Sequence, residues 1–169
     1  MSAVESFVLN QLPNFCRSRP VTPRKSVLAG IQKERLVSTS TIRETVQAVL
    51  DMVDSRLQDR GIWLTVDVPA VVVPLSERSL QCALYGMLMD AMEHMGVGGD
   101  LSVTVYADED VLELEVADSA ETCGRRIDSC ESVELLAQQC GGKLRWVHCA
   151  QGGTARILQL PLPRHRAAA

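Results

Sequence analysis

The feature that most constrains this chain is a change of hydrophobic period at Gly61. Before it, Ile42, Val46, Val49, Val53 and Leu57 recur at steps of three and four, the spacing that gathers side chains on one face of an α-helix. After it, Ile62, Leu64, Val66 and Val68 alternate with Trp63, Thr65 and Asp67, the period of a half-buried strand. A chain that carries both patterns side by side calls for a helix layer packed on a sheet. Thr41 and Glu44 have the spacing of a capping box at the helix start, and Gly61 suits its exit.

The later segments repeat this alternation of types. Pro69 ends the strand, and Val71–Val73 predicts a short edge strand before Pro74. Ser76 is placed to cap a second helix, expected to be the longest of the core, with a buried stripe of Leu80, Leu84, Leu88, Ala91 and Met95. Leu101–Tyr106 and Val111–Val116 both alternate around the acidic turn Asp108-Glu109-Asp110, which predicts an antiparallel hairpin with Glu113 and Glu115 facing water. Ser132–Cys140 predicts a short helix stopped at Gly141-Gly142. Strands are expected near Lys143–Cys149 and Arg156–Leu162, joined by Gln151-Gly152-Gly153. The order predicts an α+β fold, a two-layer sandwich of a mixed sheet with helices on one face, and a core of Leu80, Leu84, Leu88, Leu112, Leu114 and Val116.

Residues 1–36 read differently. Pro13, Pro20 and Pro23 interrupt any continuous helix, leaving Ala3–Leu12 as the one stretch of useful helical length. This arm holds six of the 17 Lys and Arg but two of the 21 Asp and Glu, so it is about +4 and the rest about −8. Its basic residues are scattered and lack an interleaved aromatic platform, which argues against nucleic acid and for solvation or docking on the acidic body. The expected divisions are a basic arm over 1–36, one domain over 37–164 and a short tail over 165–169. Hydrophobic residues at 46% and charged residues at 22% are ordinary for a folded globular protein. No apolar run approaches the roughly 20 residues that span a bilayer, and the N-terminus lacks the basic start and apolar core of an export signal, so a cytoplasmic location with no membrane partner is expected. The six cysteines are then expected as free thiols. Cys123, Cys130, Cys140, Cys149 and His148 show no C-x₂₋₄-C knuckle, so no zinc site is predicted.

The element order and several phrases resemble the catalytic and ATP-binding domain of sensor histidine kinases, a branch of the GHKL superfamily with its Bergerat fold, over about residues 37–164. Thr41–Val68 is similar to that domain's first helix and strand. Val133–Gly142 with Lys143–Val147 is similar to its helix, Gly-Gly and strand, and Gly152-Gly153-Thr154 with Leu158-Gln159-Leu160-Pro161-Leu162 is similar to its closing GxGT…LxLPL phrase. The resemblance also implies where a nucleotide would be held, and there the sequence departs from the pattern. Asp90 falls where the family's N box has the Asn that helps coordinate Mg²⁺, while Gly86, one turn earlier, offers no side chain. Glu93 stands where a basic residue is usual, and its charge would repel a triphosphate. His94 occupies the next position, where an aromatic or His is common. Asp118 is similar to the first residue of the DxGxG box, whose carboxylate accepts from the adenine amino group, but Ala120 and Thr122 replace its glycines. Only Gly124 stands where the family has a glycine-rich lid.

Asp90, His94 and Asp118 are therefore the candidate residues of a vestigial nucleotide pocket. Each also has a purely structural reading: a polar helix residue, a helix-end residue favoured by the C-terminal dipole, and a strand-end cap, respectively. What the resemblance implies is a bacterial signalling domain acting as a regulatory or partner-binding pseudo-kinase, without a catalytic residue or a cofactor, and with ATP and Mg²⁺ bound weakly or not at all. Its partner would be a response regulator or a kinase. Two alternatives stay open. One is an ATP-dependent histidine or serine protein kinase of the kind that regulates sigma factors. The other is a phosphorelay phosphotransferase, which needs an exposed nucleophilic His on a helical hairpin; His94, His148 and His165 all lie outside the arm.

Overall fold

Helix α1 spans Ile42–Arg60 in the computed structural model, which describes residues 40–120, 130–150 and 152–162. Its start is the expected capping box. The Thr41 hydroxyl accepts from the Glu44 amide at 3.3 Å, and the Thr41 amide donates to Glu44 Oε2 at 2.8 Å. Its exit is Gly61, which takes a left-handed φ of 64° that a side chain would disfavour. Strand β1 (Trp63–Asp67) follows at once. Helix α2 (Glu77–Met95) is capped by the Ser76 hydroxyl and then leads into β2 (Asp100–Ala107). Both long helices have 19 residues, so α2 shares the expected distinction with α1. Strand β3 (Val111–Asp118), helix α3 (Glu131–Gln139), and strands β4 (Lys143–His148) and β5 (Thr154–Pro161) complete the order.

The sheet order is β1-β2-β3-β5-β4. The β1–β2 pair is parallel because α2 carries the chain back between them, and the other pairs are antiparallel. The result is the α+β sandwich expected, with α2 packed over β3, α1 against α2, and α3 against α2 and β4. Leu80, Leu84, Leu88, Leu112, Leu114 and Val116 are all buried in one core with the α1 stripe. On β3 and β5 the inner face is paired in register, Leu112 with Leu160, Leu114 with Leu158 and Val116 with Arg156.

Three local expectations need correction. Val71–Val73 forms no strand: Pro69 and Pro74 bracket it, and the Val71 carbonyl instead accepts the Ile42 amide at 2.8 Å at the start of α1. Val66 is 44% exposed although its parity points it inward, because β1 is a sheet edge with little above it. Glu113 and Glu115 do lie on the outer face but are half-buried, and Gln159 donates to Glu113 across the β3–β5 pair. Cys82, Cys130, Cys140 and Cys149 are free thiols, and no metal-ligand cluster occurs among the described residues. The arm with Cys16, the segment with Thr122, Cys123 and Gly124, and the tail with His165 lie outside the described residues. No helix among the described residues is long and apolar enough to cross a membrane.

Candidate functional site

The inner face of the sheet changes character at one end. Along β3, Leu112, Leu114 and Val116 point into the core, and the next residue of that parity is Asp118. Along β5, Leu160 and Leu158 are followed on the same face by Arg156 and Thr154. Above them, α2 turns Asp90 inward beside the buried Met87 and Ala91. Asp90 and Arg156 are 1% exposed and Asp118 is 5% exposed, so three formal charges meet almost without water.

Arg156 organises them. Its Nε donates to Asp90 Oδ2, and its Nη1 donates to Asp118 Oδ2 at 2.5 Å and to the Thr154 carbonyl at 3.3 Å. Its Nη2 lies 3.2 Å from Nδ1 of His94, a nitrogen that is also 2.7 Å from the Asp90 carbonyl and 3.6 Å from Asp90 Oδ2. The planar fork of a guanidinium suits this arrangement, since one rigid group reaches a helix, two strands and a histidine at once. The other Asp118 oxygen accepts the Ala120 amide at 3.0 Å. No buried side-chain nitrogen or oxygen among the described residues lacks a hydrogen-bond partner. Such charge-assisted bonds in low dielectric are strong, and removing one member leaves the others as uncompensated buried charges.

Gly153 makes the close approach possible. Its φ is 89°, a Cβ on it would sit 1.9 Å from the Asp118 carbonyl oxygen, and its amide donates to the Ala120 carbonyl at 2.9 Å. The turn before β5 therefore rests directly on the exit of β3 and brings Arg156 beneath α2.

The three candidate residues are thus brought together, but around a fourth that the sequence reading did not single out. The signal for Arg156 was present. In the run Thr154 to Leu160 it shares parity with Leu158 and Leu160, which a sheet must bury, and a charged residue on a core face implies a buried partner. Of the other positions implied by the resemblance, Gly86 is half-buried without a side chain, and Glu93 is exposed on α2. For cation chemistry the geometry is restrictive. A hard cation could take Asp90 Oδ2 and Asp118 Oδ2 as oxygen ligands only by displacing Arg156.

The sequence matches no family model and no curated protein. The fold, by contrast, matches solved histidine-kinase structures. The histidine kinase AdeS of Acinetobacter baumannii is 13% identical, with a TM-score of 0.68 over 82% of this chain and 74% of that one. The mycobacterial sensor histidine kinase MprB is 21% identical, with a TM-score of 0.58 over 73% of this chain and 97% of that one. The cytoplasmic segment of the histidine kinase QseC is 15% identical, with a TM-score of 0.61 over 98% and 97%. The chain shares the fold of these histidine-kinase structures.

Proposed function

We propose that this chain is a signalling domain of the histidine-kinase fold that binds a protein partner, a response regulator or a kinase, in a two-component or related phosphorelay, and that it has given up nucleotide chemistry. The observation that carries this reading is the bonding of Arg156 to both Asp90 and Asp118. Those are the two carboxylates that the family resemblance assigns to Mg²⁺ and to the adenine amino group. With a guanidinium between them, the charge a nucleotide complex would use is neutralised from within. Gly86 and the exposed Glu93 add nothing that would hold a phosphate. The retained role is then that of a surface: a rigid fold kept, with its former chemical centre turned into a structural joint.

Titration calorimetry with Mg-ATP, Mg-ADP and free ATP tests this. The expected dissociation constant is weaker than about 1 mM, a binding free energy weaker than roughly −4 kcal/mol, and no melting-temperature rise should appear at about 0.1 mM nucleotide, well below that limit. Micromolar Mg-ATP binding that is lost in both Asp90→Ala and Asp118→Ala would instead support the ATP-dependent protein kinase.

A further inference from the structure

The two edges of the sheet are defended differently. Edge strand β4 carries exposed Lys143 and Arg145, charges that discourage a foreign strand from pairing. Edge strand β1, Trp-Leu-Thr-Val-Asp, has no basic residue. Five of the nine large apolar side chains exposed among the described residues lie on or beside it: Trp63 at 79%, Val66 at 44%, Val71, Val72 and, across the Trp63–Gly99 backbone bond, Val97 at 87%. In the parallel β1–β2 ladder the Trp63 amide donates to the Gly99 carbonyl, so Trp63, Thr65 and Asp67 bond toward β2. The intervening Leu64 and Val66 direct their N–H and C=O groups away from the sheet.

The neighbouring helix supplies a sign. The three arginines of α1 are each engaged by the protein: Arg56 and Arg60, half-buried, donate to the Met89 sulfur and the Met92 carbonyl, and Arg43, which stays exposed, donates to the Val68 carbonyl. The exposed carboxylates of α1, Glu44, Asp51, Asp54 and Asp59, outnumber the one exposed arginine, and Asp67 at the end of β1 is exposed too. We propose that the β1 edge is the partner-docking surface, and that its occupant is an extended basic segment of another protein that adds as a sixth strand. Its backbone pairs with Leu64 and Val66, its apolar residues cover Trp63 on the outer face, and its Lys or Arg residues lie on the opposite face, that of Val66, toward the α1 carboxylates. Main-chain pairing of this kind gives affinity, and alternate side chains give selectivity; an exposed Trp is the residue type that most often anchors such a contact. The inference rests on the partner-binding reading and names its surface.

The probe is a fluorescein-labelled ten-residue peptide of alternating valine and lysine, followed by fluorescence anisotropy with the full chain. Saturable binding is expected, weakened at least tenfold by Trp63→Ser and by Val66→Pro, which removes an outward amide without breaking the β1–β2 ladder. The pair Asp54→Lys with Asp59→Lys should weaken it several-fold and flatten its salt dependence. Leu135→Ser, at an exposed leucine on α3, should leave it unchanged, each variant being compared only once its circular dichroism matches the wild type. A peptide with glutamate in place of lysine, or serine in place of valine, should not bind. The proposal is overturned by no binding, by equal binding of the serine–lysine peptide, or by indifference to both edge variants. It is also overturned if sedimentation shows a dimer that Trp63→Ser dissolves, which would assign the edge to a second copy. Mg-ATP binding by the wild type would contradict the loss of nucleotide chemistry and leave the edge result standing, so the two failures are separable.

Discussion

Strands β3 and β5 are paired in register along their whole length, yet their two ends bury opposite chemistry. At one end Leu112, Leu114, Leu158 and Leu160 face α2 and the core; at the other, Asp118 and Arg156 face Asp90 and His94. The leucine end is held by non-directional burial and tolerates apolar side chains of similar volume. The charged end is held by directional bonds among groups that must all be present. The same sheet is thus forgiving at one end and exacting at the other, and the exacting end is the one that holds the candidate residues Asp90, His94 and Asp118.

The largest effect should come from breaking the charged end. Arg156→Met is expected to cost about 3–5 kcal/mol in urea unfolding, because two buried carboxylates lose their common cation. Adding Asp90→Leu and Asp118→Asn to it should recover most of that loss, since an apolar replacement of a whole buried ion cluster is often neutral. A loss under about 1 kcal/mol for Arg156→Met would place the cluster among surface-like ion pairs and end the comparison.

Conservative swaps sharpen it. Leu158→Met should cost less than about 1.5 kcal/mol, because volume and apolar character are kept. Arg156→Lys keeps the charge but loses the fork, and an ammonium cannot reach Asp90, Asp118, His94 and the Thr154 carbonyl together. About 2 kcal/mol is expected, measured in the same unfolding series, as two or more buried acceptors lose their donor. Equal tolerance at both ends would contradict the account.

The smallest effect lies at the hairpin tip beyond the leucine end, where Asp108 is exposed. Backbone hydrogen bonds from Asp110 and then Val111, each 2.8 Å, hold its carboxyl below the ordinary value of 3.8. A carboxylate with a lowered folded value stabilises the turn fully above its unfolded value, and that stabilisation is lost as pH falls through the folded one. The protection of the Asp110 and Val111 amides, their exchange rate relative to the intrinsic rate at each pH, should therefore hold at neutral pH and fall only below the ordinary carboxylate range. Asp108→Ala should remove this pH dependence while leaving Arg156 protected.

Much of the frame was legible in the chain itself, because its signals are local. The capping box at Thr41–Glu44, the exit at Gly61, the Ser76 cap and the period-2 runs all act within a few residues. Asp90, His94 and Asp118 were legible as candidates through the family resemblance. Arg156 was legible only as a charge on a core face; its partners were not, since they lie 66 and 38 residues away and meet it only when β5 inserts between β3 and β4. The Val71–Val73 run failed for the converse reason: its composition favours a strand, but its carbonyl is claimed by the start of α1.

The central proposal is that Arg156 permanently holds Asp90 and Asp118, the two carboxylates that the family resemblance assigns to a nucleotide complex. Nitrogen-15 NMR of the arginine side chains tests it most directly. Arg156 Nε–H and Nη–H signals are expected to be individually resolved, slow to exchange with water, and unmoved by about 0.1 mM Mg-ATP, a concentration well below the roughly millimolar limit set for binding. Arg156 signals that exchange freely, or that shift and lose protection as Mg-ATP is added, would contradict it.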